Sequence, residues 1–454
     1  MAEEASTQNK IRSGDTVLLR IPNGDTRSVK VEKDLIVSIG RLGSFSSNEL
    51  IDHHYGLTFE IVGKNLVVLP PQNIQELEET DATNEHIVGD GSVKPVTPEE
   101  MAAMKEAGVH VSVPFSQSNL REVCPCFLQD IIKKQIDQHT NFELKTEYSK
   151  DKYKKKKEAK YAKVFTTIPP TLFNVCEYWY NKDQGRIRDL RIDALSQMLN
   201  LANIRPGGRY LVVDDASGLV VSGVLHRMGG QGRVLTICDV ETPPAYPVMT
   251  QMNFPPEFKS IMASLNWATC QEDYTPIIST WDVEEDQIRS DKQRIRVNKR
   301  RAASDFLQST REDLFAGEFE ALVVASEYDP QSILKRLNKY LGGSCNIVIH
   351  SPYAQILSDL QVVMRASAEY LSPALSEVWL RRYQILPGRT HPMMNMSGAG
   401  GFILHATKVY DDPSAVPVEA HRRLQAKLAT ETQKSSDIVP SQQEEGDVAM
   451  TDAT

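Results

Sequence analysis

Apolar residues along this chain fall into runs of two kinds. Near-continuous runs are RYLVV (209–213), RVLTICD (233–239), WATCQ (267–271), ALVVAS (321–326), CNIVIHS (345–351), VWLRRYQIL (378–386) and GFILHATKV (401–409). Runs apolar at both odd and even positions predict strands covered on both faces. Between them, near 189–201, 218–228, 255–264, 330–341 and 353–366, apolar positions recur at helical spacing. Strand–helix alternation of this kind predicts an α/β fold with a mostly parallel, doubly wound sheet. The last two strand runs have no helix between them, which predicts an antiparallel edge pair. The outline over 166–410 is that of a Rossmann-like, methyltransferase-type sheet, with a charged helical insert near 282–316.

The first seventy residues follow another rhythm. DTVLLRIPNGDTRSVKV holds two β-rich runs around Pro22-Asn23-Gly24-Asp25, and LIVSIG, LTFEIVG and NLVVLP follow at short spacing. Asn-Gly is a strong hairpin signal, and several short strands within 11–70 predict a small β-barrel domain. From 71 to 165 the chain reads as linker and lysine-rich helix. Thr97 with Glu100 forms a capping box at TPEEMAAMKEAG. The lysine-rich helix is expected from Ser149 to Val164. The stretch 109–129 has no period and is expected to be a disordered insertion, either an exposed loop or translated intron. Residues 1–10 and the acidic tail 411–454 are expected to be disordered.

Composition narrows the class. With 41% hydrophobic and 24% charged residues in 454, the chain reads as a soluble protein of more than one domain. No apolar run approaches the length of a membrane helix, and the polar start MAEEASTQNK is not a secretory signal. The six cysteines lack a second ligand pair at zinc spacing, so reduced core thiols in an intracellular protein are expected and no metal. The net charge of −9 hides segregation: KDKYKKKKEAKYAK (150–163) is strongly basic, whereas the tail after Thr430 is acidic.

The first strand–turn–helix of the sheet invites a cofactor reading. A phosphate- or nucleoside-binding turn needs an acid and then glycines, so that the backbone can approach the ligand. Here Asp214 supplies the acid, but the three glycine positions hold Ala216, Gly218 and Val220. Ala216 and Val220 put carbon where ligand and helix packing need space. Asp239 ends the second strand, where an acid holds ribose hydroxyls. ASEYDP (325–330) lacks the acid-x-Pro run of a base-modifying site, so no catalytic residue is assigned. RMGGQG and GAGGF do not join a strand to a helix N-terminus and read as turn or packing glycines.

Four stretches together carry a resemblance: TEYSKDKYKKKKEAKY, GRIRDLRIDALSQMLNLANIRPGGRYLVVDDASGLV, RMGGQG and RYQILPGRTHPMMNMSGAGGF. The chain resembles the non-catalytic, tRNA-binding subunit of the eukaryotic tRNA adenine-N1 methyltransferase over about 11–410. The resemblance implies a nuclear heterotetramer of two such subunits and two catalytic subunits. That enzyme forms 1-methyladenosine at tRNA position 58, initiator tRNA included. S-adenosylmethionine is bound by the catalytic partner and none by this chain.

RNA is held through its backbone and by stacking on splayed bases, which calls for cations with interleaved aromatics. The first candidate surface is Lys150, Lys152, Tyr153, Lys154, Lys155, Lys156 and Lys157, for which a solvated helix face or an import signal is the bland alternative. The second is the turn Arg389, Thr390, His391, Met394, Asn395 and Ser397; the third is Tyr178, Tyr180, Lys182, Arg186, Arg188 and Arg191. The resemblance adds the loop Asp90, Gly91, Ser92 and Lys94. The insert's Arg294, Arg296, Lys299, Arg300 and Arg301 fit RNA or an import signal equally. Two rival readings remain: an active methyltransferase in its own right, and an assembly factor without RNA contact.

Overall fold

The computed structural model describes residues 10–70, 150, 163–240, 244–275, 290–385 and 390–410. All elements below lie in one compact unit, Met1–Lys408.

The N-terminal domain is antiparallel: β1 (Thr16–Arg20), β2 (Thr26–Lys30), β3 (Ile36–Ser38), β4 (Ser44–Ser46), β5 (Thr58–Val62), β6 (Asn65–Leu69) and β7 (Val164–Ile168). Five of these form a sheet in the order β2-β1-β7-β5-β6, and β3 pairs with β4. The Asn-Gly turn does join β1 to β2. One strand was misplaced by sequence. VFTTI was read as the end of the lysine-rich helix and the start of the second domain, yet β7 is the central strand of the first. Its β-branched run suits a strand, and Phe165 stacks on Phe45 and Phe59, with centroids 5.3 and 5.7 Å away.

The second domain is built on seven strands: β8 (Arg209–Asp214), β9 (Arg233–Cys238), β10 (Met262–Asn266), β11 (Phe319–Ala325), β12 (Leu341–Ser351), β13 (Tyr370–Trp379) and β16 (Ala399–Lys408). A small hairpin, β14 (Tyr383–Gln384) and β15 (His391–Pro392), precedes β16. The order is β10-β9-β8-β11-β12-β16-β13. The first five run parallel and β16 lies antiparallel between β12 and β13. This is the doubly wound order with one antiparallel strand inserted at an edge. One face carries α1 (Leu172–Lys182), α2 (Ile192–Leu201) and α3 (Leu219–Met228), with short helices α4 (Pro247–Gln251) and α5 (Pro256–Ser260). The other carries α6 (Asp291–Ala316), α7 (Pro330–Leu337) and α8 (Ala354–Ala366). Tyr210 and Val212 of β8 enter the first core layer, Leu211 and Val213 the second, which explains their continuous apolar pattern.

Three expected elements shift. The third parallel strand is MASLN, five residues before WATCQ. Asn266 Oδ1 accepts from the Thr269 amide at 2.7 Å and Thr269 Oγ1 from the Asn266 amide at 2.9 Å, which turns the chain at 267–270. The helix expected over 255–264 is correspondingly only α5. The strand expected over 378–386 is β13, whose Pro373 and alternating polar residues hide it. An edge strand tolerates that proline because one side needs no ladder.

The domains are riveted by polar contacts. Asn253 receives the Thr16 amide on Oδ1 at 2.8 Å and donates Nδ2 to the Thr16 carbonyl at 2.9 Å. Gln251 accepts from Trp179 Nε1 at 2.7 Å and donates to Ser28 Oγ at 3.0 Å. Leu18 and Ile168 complete the junction by packing into the core under α1 to α3. N253A leaves both Thr16 groups unpaired in a mostly buried site, so it is expected to destabilise the chain by about 2 kcal/mol in urea unfolding, with Asn253→Asp recovering only part.

Candidate functional site

The turn from β8 into α3 is held by one carboxylate. Asp214, almost fully buried, accepts from the amides of Ala216 at 2.7 Å and Gly218 at 3.3 Å on one oxygen, and of Val221 at 2.8 Å on the other. Desolvation raises its pKa to about 6, against the lowering effect of these three donors. Ser217 and Gly218 are left-handed, with φ 59° and 83°. Gly218 is therefore needed for its conformation, and Ala216 and Val220 point into the core beneath α3 rather than into the recess. The expectation that these two fill the ligand space is corrected.

Tyr246 covers the turn. It lies in the loop after β9, is nearly fully buried, and packs so closely that a Cβ on Gly218 would stand 2.6 Å from its own Cβ. Burial pushes its phenol pKa up. The neighbouring Thr236 hydroxyl is engaged with Ala263 O and Ser264 Oγ, and the Tyr246 hydroxyl has no hydrogen-bond partner among the described residues.

The acids around this end are also engaged. Asp215 accepts from the Ser326 hydroxyl and, at 3.2 Å, from the Glu327 amide. Tyr328 donates its hydroxyl to Asp239 at 3.1 Å, and Arg188 pairs with Glu327. The ends of β8, β9 and β11 are thus laced together by side chains.

The GAGG turn serves packing. Arg191, 2% exposed, bridges Asp193 (2.7 and 2.8 Å) and the carbonyls of Ser397, Gly398 and Ala399 (3.0–3.1 Å). Its guanidinium fork is filled from both sides, so its pKa is raised, chiefly by the Asp193 hydrogen bond. A Cβ on Gly400 would strike that guanidinium at 2.8 Å, and one on Gly398 the Trp379 indole at 2.5 Å. Gly401 is left-handed (φ 87°) over His350. His350 is 2% exposed with neither ring nitrogen partnered among the described residues, and burial lowers its pKa to about 4.

Of the residues expected at an RNA surface, Lys150 is helical, while Lys152, Tyr153, Lys154–Lys157, Arg389 and Asp90, Gly91, Ser92 and Lys94 lie outside the described residues. Tyr178 is corrected: its ring is buried in the core and its hydroxyl accepts from Lys182 Nζ at 2.9 Å. Tyr180 is half-buried against the same core. Arg186 is exposed, its guanidinium 5.7 Å from the Trp179 ring centre, and its carbonyl accepts from Ser217 Oγ at 3.0 Å. Thr390 precedes β15, His391 lies in it, and Met394, Asn395 and Ser397 lie in the turn from β15 to β16. Arg381 donates there to the Met396 carbonyl at 2.9 Å, and Arg382 pairs with Glu177 of α1 at 2.6 Å. Met394 is exposed, as are Trp379, Tyr383, Ile385 and Met393. Helix α6 buries only Val297, Thr310, Arg311 and Leu314, leaving Arg294, Arg296, Lys299, Arg300 and Arg301 exposed. Arg191, expected at an RNA surface, is corrected to a buried anchor, and sequence reasoning missed the roles of Tyr246, Tyr328 and His350. Tyr-Pro after a strand and an arginine inside an apolar stretch were the available signals.

R191A strands Asp193 and three carbonyls, so a loss of about 3 kcal/mol in thermal unfolding is expected, with faster hydrogen exchange at 398–401. Lysine at this position cannot reproduce the fork. For His350 the native pKa lies below the unfolded value, so the unfolded chain takes up the proton first. Stability then falls as pH drops from about 6.5 towards 4, whereas Asp214, raised to about 6, acts in the opposite sense. H350L isolates the histidine: its urea stability at pH 5, relative to pH 7, should exceed that of the wild type by about 2 kcal/mol.

Residues 10–304 match the Gcd10p family. The chain is 30% identical over 439 residues to the tRNA (adenine(58)-N(1))-methyltransferase non-catalytic subunit of Dictyostelium discoideum, covering 89% of this chain and 80% of that one. It is 28% identical over 425 residues to the Debaryomyces hansenii protein of the same name, covering 88% and 86%. Among solved structures it is similar to an S-adenosylmethionine-dependent O-methyltransferase of Thermotoga maritima, with a TM-score of 0.50 at 11% identity over 90% of this chain and 98% of that one. That likeness concerns the fold. With a family match over residues 10–304 and a relative 30% identical over 89% of its length, the chain belongs to the Gcd10p family.

Proposed function

We propose that this chain is the non-catalytic subunit of the methyltransferase that forms 1-methyladenosine at tRNA position 58. In this reading it holds tRNA and pairs with a catalytic subunit that binds S-adenosylmethionine. The names of its relatives support the assignment. The observation that carries the non-catalytic part is the turn after β8. Its acid is spent on its own helix start, and Tyr246 lies on the only glycine left. The turn as folded does not fit a nucleoside cofactor.

A chain without a reaction centre contributes by placement. Holding tRNA so that the target adenosine reaches the partner's pocket is a proximity effect, which can supply several powers of ten in rate. The lysines at 150–157 supply phosphate contacts in this reading, with Arg186 beside the covered turn. The exposed Trp379, Tyr383, Ile385, Met393 and Met394, at the end of β13 and in the segment after it, offer apolar surface to the catalytic subunit. Nuclear location and two copies of each subunit complete the proposal.

The test is co-expression of the chain with its catalytic partner. With Lys154–Lys157 all changed to Glu, the complex should still co-purify, while tRNA affinity falls at least about tenfold and the slope of log affinity against log salt flattens by about 3. Unchanged affinity would favour the assembly-factor reading. Methylation of tRNA by the chain alone would make it an enzyme and end this one.

A further inference from the structure

Tyr246 carries costs that the fold does not explain. Its backbone is left-handed at φ 39°, an uncommon conformation for an aromatic residue, and it stands immediately before Pro247. Its hydroxyl is buried with no well-formed hydrogen bond among the described residues, and the nearby Thr236 hydroxyl is already engaged elsewhere. Strain and an unpaired polar group both destabilise, so something must hold the ring in place. What holds it is the recess. The ring lies on Gly218, at the carboxyl ends of β8 and β9, next to the point between β8 and β11 where the strand order reverses. Such a crevice is where open α/β sheets take nucleotides. The recess also keeps ligand-type chemistry. Gly218 is still left-handed, Asp215 and Asp239 stand at the strand ends, and Tyr328, 43% exposed, is free to swing from Asp239.

We infer that Tyr246 is a built-in occupant of a nucleoside recess. The site is retained and filled from within, and removing the ring reopens it to an adenosine-type ligand. The Tyr246 side chain thereby makes the folded subunit independent of ligand. This inference rests on the reading above that the wild-type chain binds no cofactor.

The full-length chain is unfolded thermally with and without S-adenosylhomocysteine at about 1 mM. Wild type and Y246F, which keeps the ring and removes only the orphaned hydroxyl, should show no shift with ligand. Y246A should melt lower than wild type without ligand and gain about 3 °C or more with it. If Y246A does not fold, Y246L, which keeps an apolar side chain on the strap, decides by the same criterion. A folded Y246A or Y246L whose midpoint ignores the ligand overturns the inference and leaves the non-catalytic reading standing. A wild-type midpoint that rises with ligand defeats both.

Discussion

The cofactor end of this protein depends on how the backbone donors at the start of α3 are satisfied. A helix N-terminus presents amides that must find acceptors, and in this fold a ligand is one candidate. Here the buried carboxylate of Asp214 takes the amides of Ala216, Gly218 and Val221. The left-handed Ser217 and Gly218 follow from wrapping the backbone around that carboxylate, and Tyr246 can settle on Gly218 because no Cβ stands in its way. Asp215 then ties in Ser326 and Glu327 at the end of β11, and Asp239 ties in Tyr328. A short chain of hydrogen bonds thus closes the end of the sheet where chemistry would otherwise occur.

A second buried charge organises the neighbouring strands at the same end of the sheet. Arg191, at the start of α2, is neutralised by Asp193 and caps the carbonyls of the turn leading into β16. That turn is the root of the β14–β15 hairpin, so the hairpin's position is set by a side chain two hundred residues earlier in the chain. A flexible turn could not present a fixed surface to RNA or protein. One held by a buried, fully satisfied guanidinium can, since ordering costs little when the loop is already in place.

Together these anchors separate scaffold from surface. The doubly wound sheet is kept at full core quality, with both faces covered and β8, β9 and β11 buried along nearly their whole length. What has changed relative to a ligand-binding sheet lies in a few side chains above it. In the proposed function the work falls to surface side chains that the core positions.

Much of this was legible in the sequence for a simple reason. Strands buried on both faces must be apolar at every position, so β8, β9, β11 and β12 announce themselves, and so do the helices between them. The loss of glycines at Ala216 and Val220 was equally plain. Elements whose character is set by neighbours were not. β13 is an edge strand with polar positions and Pro373, and β7 joins a sheet whose other strands end ninety-five residues earlier, at Leu69. Tyr178 and Arg191 carry side chains that ordinarily face solvent, and only the packing of α1 into the core and of α2 against β16 decided otherwise. The sequence by itself determined that only one of the turn's three glycine positions holds glycine. Only the tertiary structure decided what covers it, because the contact of Tyr246 with Gly218 joins two loops from different strands and has no local pattern to betray it.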